Sequence, residues 1–314
     1  MNFIEALKSE DVEIVRSFPK ADLHNHFVLG GNREYILRKT GYDVKPITKP
    51  LTSMREMDEW NRKYIGEHFN TPEGRKFLIE STFVQAKYDG VSVLEIGEDV
   101  WGLGEFFHND VGELIYTFQE INHRIAPEIE LRLQIGLSRH CSVDYLEDCL
   151  KHFWGRKEFY SIDLYGDELA QPIENFVPIY CRAAENGLVL KAHVGEWGTA
   201  RDIVSAVNAL HLDEVQHGIA AADDEDVMDF LADNRIRLNI TLSSNVLLGR
   251  VSDIEKHPIA KLYRHGIDVT INSDDVLIFD SDVSKEYLRL YQSGCLTAEE
   301  LDDIRIKSLG GNQP

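Results

Sequence analysis

Eight short apolar runs, each bounded by turn or polar residues, alternate with stretches of helical spacing along this chain. That count constrains the fold more than any other feature. The runs are 21–27 (ADLHNHF), 91–98 (VSVLEIGE), 131–138 (LRLQIGLS), 159–166 (FYSIDLYG), 187–196 (GLVLKAHVGE), 214–220 (EVQHGIA), 236–245 (IRLNITLSSN) and 266–275 (GIDVTINSDD). Between them lie segments such as Pro172 to Glu185 and Asp224 to Asp233, the second with Asp223 as a plausible N-cap. Regular strand and helix alternation implies parallel strands with right-handed crossovers. Eight units predict a closed (β/α)8 TIM barrel, so residues 1–314 read as one domain.

Several runs begin apolar and end polar, as in VLKAHVGE, LNITLSSN and VTINSDD. Strands with buried bodies whose carboxyl ends line a site need that pattern, so polarity is expected to collect at one rim. Residues 28–90 are too long for one crossover helix and carry LGG at 29–31 with Pro46, Pro50 and Pro72 as breakers. This stretch reads as a helical insert over the barrel mouth: either a lid that supplies an apolar pocket wall, or a packed elaboration without substrate contact. The chain stops soon after Ser308, which leaves little room for a final closing helix.

Composition narrows the partners. Lys and Arg number 33 against 54 Asp and Glu, a formal charge of −21. Such an anion repels phosphate backbones and anionic membrane surfaces, so neither nucleic acid nor a membrane is an expected partner. Cys141, Cys149, Cys181 and Cys295 form no C-x-x-C pair and suit a reducing compartment, which makes a cytoplasmic location the expectation. The acidic residues in MNFIEALKSEDVEIV speak against a signal peptide, and no apolar run reaches the 18 residues of a membrane span.

The rim residues carry the chemistry. His24 and His26 form H-x-H on the first run, where a strand's period of two points both imidazoles inward, about 7 Å apart. Imidazole is a common zinc ligand, but this pair alone carries little weight. The fifth run ends in His193-Val194-Gly195-Glu196, the sixth contains His217-Gly218, and the eighth ends in Asp274-Asp275. A hydrogen-bonded core histidine or a helix N-cap explains any one of these by itself. Four strands placing them at one rim, where this fold builds its sites, favours a metal centre.

With those residues in view, the chain resembles the adenosine/adenine deaminase family of zinc aminohydrolases from Pro19 to about Phe279. The matching text is PKADLHNH (19–26), DLYGDE (163–168), HVGE (193–196), QHG (216–218), SSN (243–245), HPIAKLYRHGIDVTINSDD (257–275) and LIF (277–279). The resemblance implies that His24, His26, His193 and Asp274 hold one Zn2+ whose open position takes a water of lowered pKa. It further implies that Glu196 protonates N1 of a 6-aminopurine, that His217 orients the attacking hydroxide, that Asp275 meets N7 and that the Gly166 N–H meets N3. The small-molecule substrate is then a purine, and the products are the 6-oxo purine and ammonia. Cytidine- and tRNA-type zinc deaminases need P-C-x-x-C, which this chain lacks. Binuclear relatives on this barrel often bridge two metals with a lysine after the fourth strand; DLYGDE offers none, so one metal is expected.

The chain also departs from the family pattern. Where H-x-H is usually followed by x and an acid, here Val28 stands, and an apolar side chain cannot bind a sugar hydroxyl. C-P-x-S-N is replaced by Thr241-Leu242-Ser243-Ser244-Asn245 and S-D-D-P by Ser273-Asp274-Asp275-Val276. Trp197 in HVGEWG either stacks on a base or packs on the rim, packing being favoured. Adenosine or a related nucleoside is the leading substrate. Free adenine, an N6-substituted adenine or another aminated heterocycle is the alternative, and a silent purine-binding barrel is the reading from another class.

Overall fold

A computed structural model describes residues 1–310; residues 311–314 of the expected domain span lie outside it. The eight runs form eight strands: β1 Lys20–Asp22, β2 Val91–Ile96, β3 Glu130–Ser138, β4 Phe159–Tyr165, β5 Val189–Val194, β6 Glu214–His217, β7 Arg237–Ile240 and β8 Val269–Ile271. They lie in one sheet in chain order, and every neighbouring pair is parallel. Beyond the strand ends, Asn25 and Asp274 form a parallel bridge and Asp274 donates its N–H to the His24 carbonyl at 2.9 Å. That contact joins the first and last strands, and the sheet curls into the (β/α)8 barrel expected from the sequence.

The helices between the strands start where side chains satisfy the free N–H groups of the first turn. Asp110 accepts from the Gly112 and Glu113 N–H groups ahead of Val111–Ile125, and Thr199 with Asp202 makes a capping box on Ala200–Leu210. The helix expected over 224–233 runs Glu225–Asp233 and is capped by Asp224, one residue later than the sequence suggested. The segment 172–185 is a 3-10 turn, Ile173–Phe176, followed by the helix Val177–Glu185, because Pro178 fits only a first helical turn. After β8, the helix Ala298–Ser308 has its own capping box at Thr297 and Glu300 and packs on β8 and β1. A closing helix therefore exists where the short tail had argued against one.

Two further expectations are corrected. Strand β1 stops at Asp22, so His24 and His26 lie beyond it. Polarity also runs down the barrel interior and is not confined to the rim. Lys191 on β5 places its Nζ 2.7 Å from Glu95 of β2 and 2.7 Å from Glu214 of β6. Since β2 and β5 are not neighbours in the sheet, the first contact crosses the lumen. All three side chains are buried, and each charge persists there because an opposite charge and hydrogen bonds meet it. The outward residues of the barrel strands, such as Leu94, Ile162, Leu190 and Leu238, join the apolar core under the helices.

Between β1 and β2 the insert holds Arg33–Thr40, Met54–Asn61, a π-helical turn Arg62–Gly66, Glu67–Phe69 and the long helix Pro72–Tyr88. Pro72–Tyr88 packs on β2, whereas residues of 54–70 reach over the carboxyl ends of the strands. Among the described residues no helix is long and apolar enough to cross a membrane.

Candidate active site

The segment after β1 is held by side chains in place of a sheet ladder. Leu23 donates its N–H to Asn272 Oδ1 at 2.8 Å. The Asp22 carboxylate accepts from the Ser273 N–H at 3.1 Å, the Ser273 hydroxyl at 2.6 Å and Asn25 Nδ2 at 3.0 Å. The chain on either side of the two histidines is thereby tied to the segment after β8. The His24 and His26 rings stand 5.5 Å apart, nearly perpendicular.

Three imidazole nitrogens then converge. His24 Nε2 and His193 Nε2 are 3.0 Å apart, and His26 Nε2 is 3.3 Å from His193 Nε2. Asp274 Oδ1 lies 3.8 Å from His24 Nε2 and 3.6 Å from His26 Nε2. Ligand atoms at zinc distances on a tetrahedron stand roughly 3.3–3.4 Å apart, so the three imidazoles lie close enough to share one ion, with Asp274 beside His24 and His26. The outer hydrogen bonds agree. His24 Nδ1 faces the Asn239 carbonyl at 3.1 Å and His193 Nδ1 faces Asp163 Oδ1 at 3.3 Å. Both acceptors need an N–H, which leaves lone pairs on the two Nε2 atoms. Two lone pairs 3.0 Å apart repel unless a cation lies between them. Burial holds His24 and His26 neutral, at about 3. Burial works against a charge on His193 and Asp163 outweighs it, raising its basicity as a ligand. Asp274 itself has φ 59°, a left-handed conformation rare outside glycine and frequent at functional sites.

Glu196 and His217 stand beside this cluster. The turn after β5 pivots on Gly195, φ 74°, where a side chain would meet Ile203 at 2.5 Å. Glu168, from the loop after β4, gathers that turn: Oε1 accepts from the Gly195 N–H at 2.6 Å. Its Oε2 accepts from Glu196, Trp197 and Gly198 at 3.1, 2.8 and 3.2 Å. Burial lifts the Glu196 carboxyl to about 8, with Asp274 adding to the rise and His193 opposing it. Glu196 is therefore protonated at neutral pH. His217, φ 63°, sets its Nε2 3.6 Å from Glu196 Oε2, and burial followed by His24 keeps it neutral. Asp275 is buried with neither carboxylate oxygen hydrogen-bonded. Burial, and then the charge of Asp274, push it well above the usual carboxyl range.

These groups share one cavity of about 360 Å3, within the range of small-molecule pockets. Its mouth is walled by Met54, Met57, Ile65 and Phe69 of the insert, and Val28, Gly166 and Leu248 also line it. Gly166, φ 91°, follows β4, where its backbone has the freedom a side chain would remove. Arg75 is the one lysine or arginine in the lining among the described residues. Glu98 holds it in a fork, with Nε to Oε2 at 2.7 Å, so its charge is already met. Asp58 and Asp99 add acid to the wall. Trp197 lies outside the lining and carries the Arg250 guanidinium 4.5 Å over its ring, so it packs on the rim.

All eight residues singled out in the sequence, His24, His26, Gly166, His193, Glu196, His217, Asp274 and Asp275, line this cavity or join its ligand cluster. Sequence reasoning assigned nothing to Asp163, which holds His193, or to Glu168, which holds the Glu196 turn. Both acids sit in DLYGDE; a charged residue inside the apolar run 159–166 was the available signal for Asp163, whereas Glu168 lies past that run.

The sequence pattern of the adenosine deaminase family matches residues 119–312. A candidate adenosine/adenine deaminase from Treponema pallidum (strain Nichols) is 31% identical over 299 residues, covering 94% of this chain and 100% of that protein. The crystal structure of an adenine deaminase from Arthrobacter aurescens superposes with a TM-score of 0.76 at 24% identity, covering 92% of this chain and 93% of its own. An amidohydrolase from Burkholderia ambifaria, crystallised with bound Zn, superposes with a TM-score of 0.76 at 20% identity, over 95% and 86% of the two chains. At these identities the solved structures speak for the fold.

Proposed function

Because this chain belongs to the adenosine deaminase family of aminohydrolases, we propose that it hydrolyses the 6-amino group of adenosine or a related 6-aminopurine nucleoside, as a single barrel domain. Water adds at C6, ammonia leaves, and the 6-oxo purine remains. The observation that carries the reading is the convergence of three imidazole Nε2 atoms, with Asp274 beside two of them and a protonated carboxyl on the same cavity.

His24, His26, His193 and Asp274 are the proposed ligands of one Zn2+. When bound, zinc supplies Lewis-acid activation of water at neutral pH. The remaining work falls to the chain's own side chains. Glu196 delivers its proton to N1, which removes aromatic stabilisation and makes C6 electrophilic. His217 orients the attacking oxygen. Asp275, neutral and without a partner in the fold, donates to N7, while the Gly166 N–H meets N3. The neutralised Arg75 and the acids Asp58 and Asp99 disfavour a phosphate, so nucleoside or base is preferred to nucleotide.

Val28 favours a second reading, in which the substrate is free adenine or an N6-substituted adenine with no sugar hydroxyl to satisfy. The four free cysteines support a reducing, cytoplasmic setting for either reaction. The test is ammonia release over adenosine, deoxyadenosine, adenine and N6-alkyl adenines by protein carrying about one zinc per chain. Glu196→Gln is expected to retain the zinc and lose turnover. Zinc-loaded protein inactive on the whole panel would leave only the binding role.

A further inference from the structure

Behind Glu196 and His217, outside the cavity lining, two buried side chains form a hydrogen-bonded chain whose direction is fixed at one end. His257 precedes the helix Ile259–Arg264, and its Nδ1 lies 3.2 Å from the Ile259 N–H. A backbone N–H can only donate, so Nδ1 accepts and the ring proton stands on Nε2. Nε2 is 3.2 Å from Asn245 Oδ1, in the short helix Leu242–Leu247. That contact orients the amide. Its oxygen faces His257, and its Nδ2 donates to His217 Nδ1 at 3.2 Å and to Glu196 Oε1 at 3.4 Å. Turning the amide over would set donor against donor at His257. Asn245 Nδ2 has no lone pair to offer, so His217 Nδ1 accepts. The Thr241 hydroxyl, 3.0 Å from the same nitrogen, is a second donor. The proton of neutral His217 then stands on Nε2, the atom 3.6 Å from Glu196 and close to the ligand cluster.

We propose that His257 and Asn245 are positioning residues that fix His217 as its Nε2–H tautomer, so that His217 meets the attacking oxygen as a hydrogen-bond donor. The proposal rests on the deaminase reading for its consequence and on hydrogen-bond direction for its geometry. A ring with its proton on Nε2 has no lone pair free there, and its Nδ1 already accepts from Asn245 and Thr241. Asn245 also ties Glu196 to His217, so one side chain aligns the N1 donor and the donor to the oxygen. Burial keeps His257 neutral, at about 3, so the chain keeps one direction throughout the working pH range.

The experiment uses the zinc-loaded enzyme with isotope-labelled histidine and reads the tautomer of His217 by heteronuclear NMR, assigned with His217→Gln. The wild type is expected to show a neutral ring with the proton on Nε2. Asn245→Asp keeps the shape but presents an acceptor to Nδ1; it is expected to move the proton to Nδ1. A wrong imidazole tautomer can cost up to roughly 10⁴-fold, and outer hydrogen-bond partners cost roughly 10–100-fold. We expect kcat to fall about 10²-fold with KM within about threefold. His257→Gln, which retains a donor for Asn245, is expected to keep kcat within about threefold, while His257→Leu lowers it about tenfold. An Nδ1–H or doubly protonated His217 in the wild type, or Asn245→Asp with an unchanged tautomer or unchanged kcat, overturns the proposal. A wild-type Nε2–H ring in a protein that releases no ammonia would instead defeat the deaminase reading and leave the assignment standing.

Discussion

Replacing Glu168 by alanine removes one carboxylate and, with it, the partners of four consecutive N–H groups from Gly195 to Gly198. The four losses do not add. Gly195 is buried, whereas Glu196, Trp197 and Gly198 are only half-buried, so water can replace part of what their N–H groups lose. One buried orphan N–H costs about 1–3 kcal/mol, and a hydrogen bond to a charged group contributes about 1.5–3 kcal/mol. The total expected is about 3–5 kcal/mol. With unfolding entropy near 2.1 cal/mol/K per residue, that lowers Tm by roughly 5–8 °C in a chain of this length. Activity should suffer more than stability. The same turn carries Glu196, and a displacement of about 1 Å at a reacting group costs about 10²-fold. Thermal unfolding and steady-state ammonia release, measured on Glu168→Ala with its zinc content checked, decide the matter. A Tm within about 1 °C of wild type together with kcat within about threefold would show that the turn holds itself and that the carboxylate is incidental.

Other consequences follow from the cavity wall. Burial lifts Asp99 to about 7 from an ordinary 3.8, so the folded state binds its proton more tightly than the unfolded chain. Its ionisation therefore removes stability as pH rises from about 4 through 7, and urea titrations across that window should show Asp99→Asn losing less stability than wild type. An acid at position 28 restores a polar contact worth about 1–3 kcal/mol to a buried hydroxyl. Val28→Asp should accordingly raise the kcat/KM ratio of adenosine to adenine by about tenfold or more; a ratio that stays put or falls would remove Val28 as a determinant of the sugar site.

Strand number, strand order and the rim residues were legible because they depend on local pattern. Alternation of apolar runs with helical spacing fixes a parallel barrel, and a barrel brings every strand's carboxyl end to one place. His193, Glu196, His217 and Asp274 needed no more than that. What escaped was set by contacts distant in sequence. His24 and His26 read as strand residues, yet β1 ends at Asp22 and the ties from Asn272, Ser273 and Asp274 replace its ladder. SSN at 243–245 reads as the tail of the seventh run but begins a helix after Thr241, which is how Asn245 reaches His217. Lys191 sits amid VLKAHV, and nothing local reveals that Glu95 across the lumen and Glu214 on the neighbouring strand neutralise it. The same holds for Glu168, whose four partners lie 27 to 30 residues away.

The central claim is that His24, His26, His193 and Asp274 enclose a single ion. Diffraction from zinc-loaded crystals on either side of the zinc absorption edge measures this directly. One anomalous peak is predicted, about 2.0–2.2 Å from the three Nε2 atoms and an Asp274 oxygen. A peak ligated by other residues, or an active enzyme with no peak there, would contradict it.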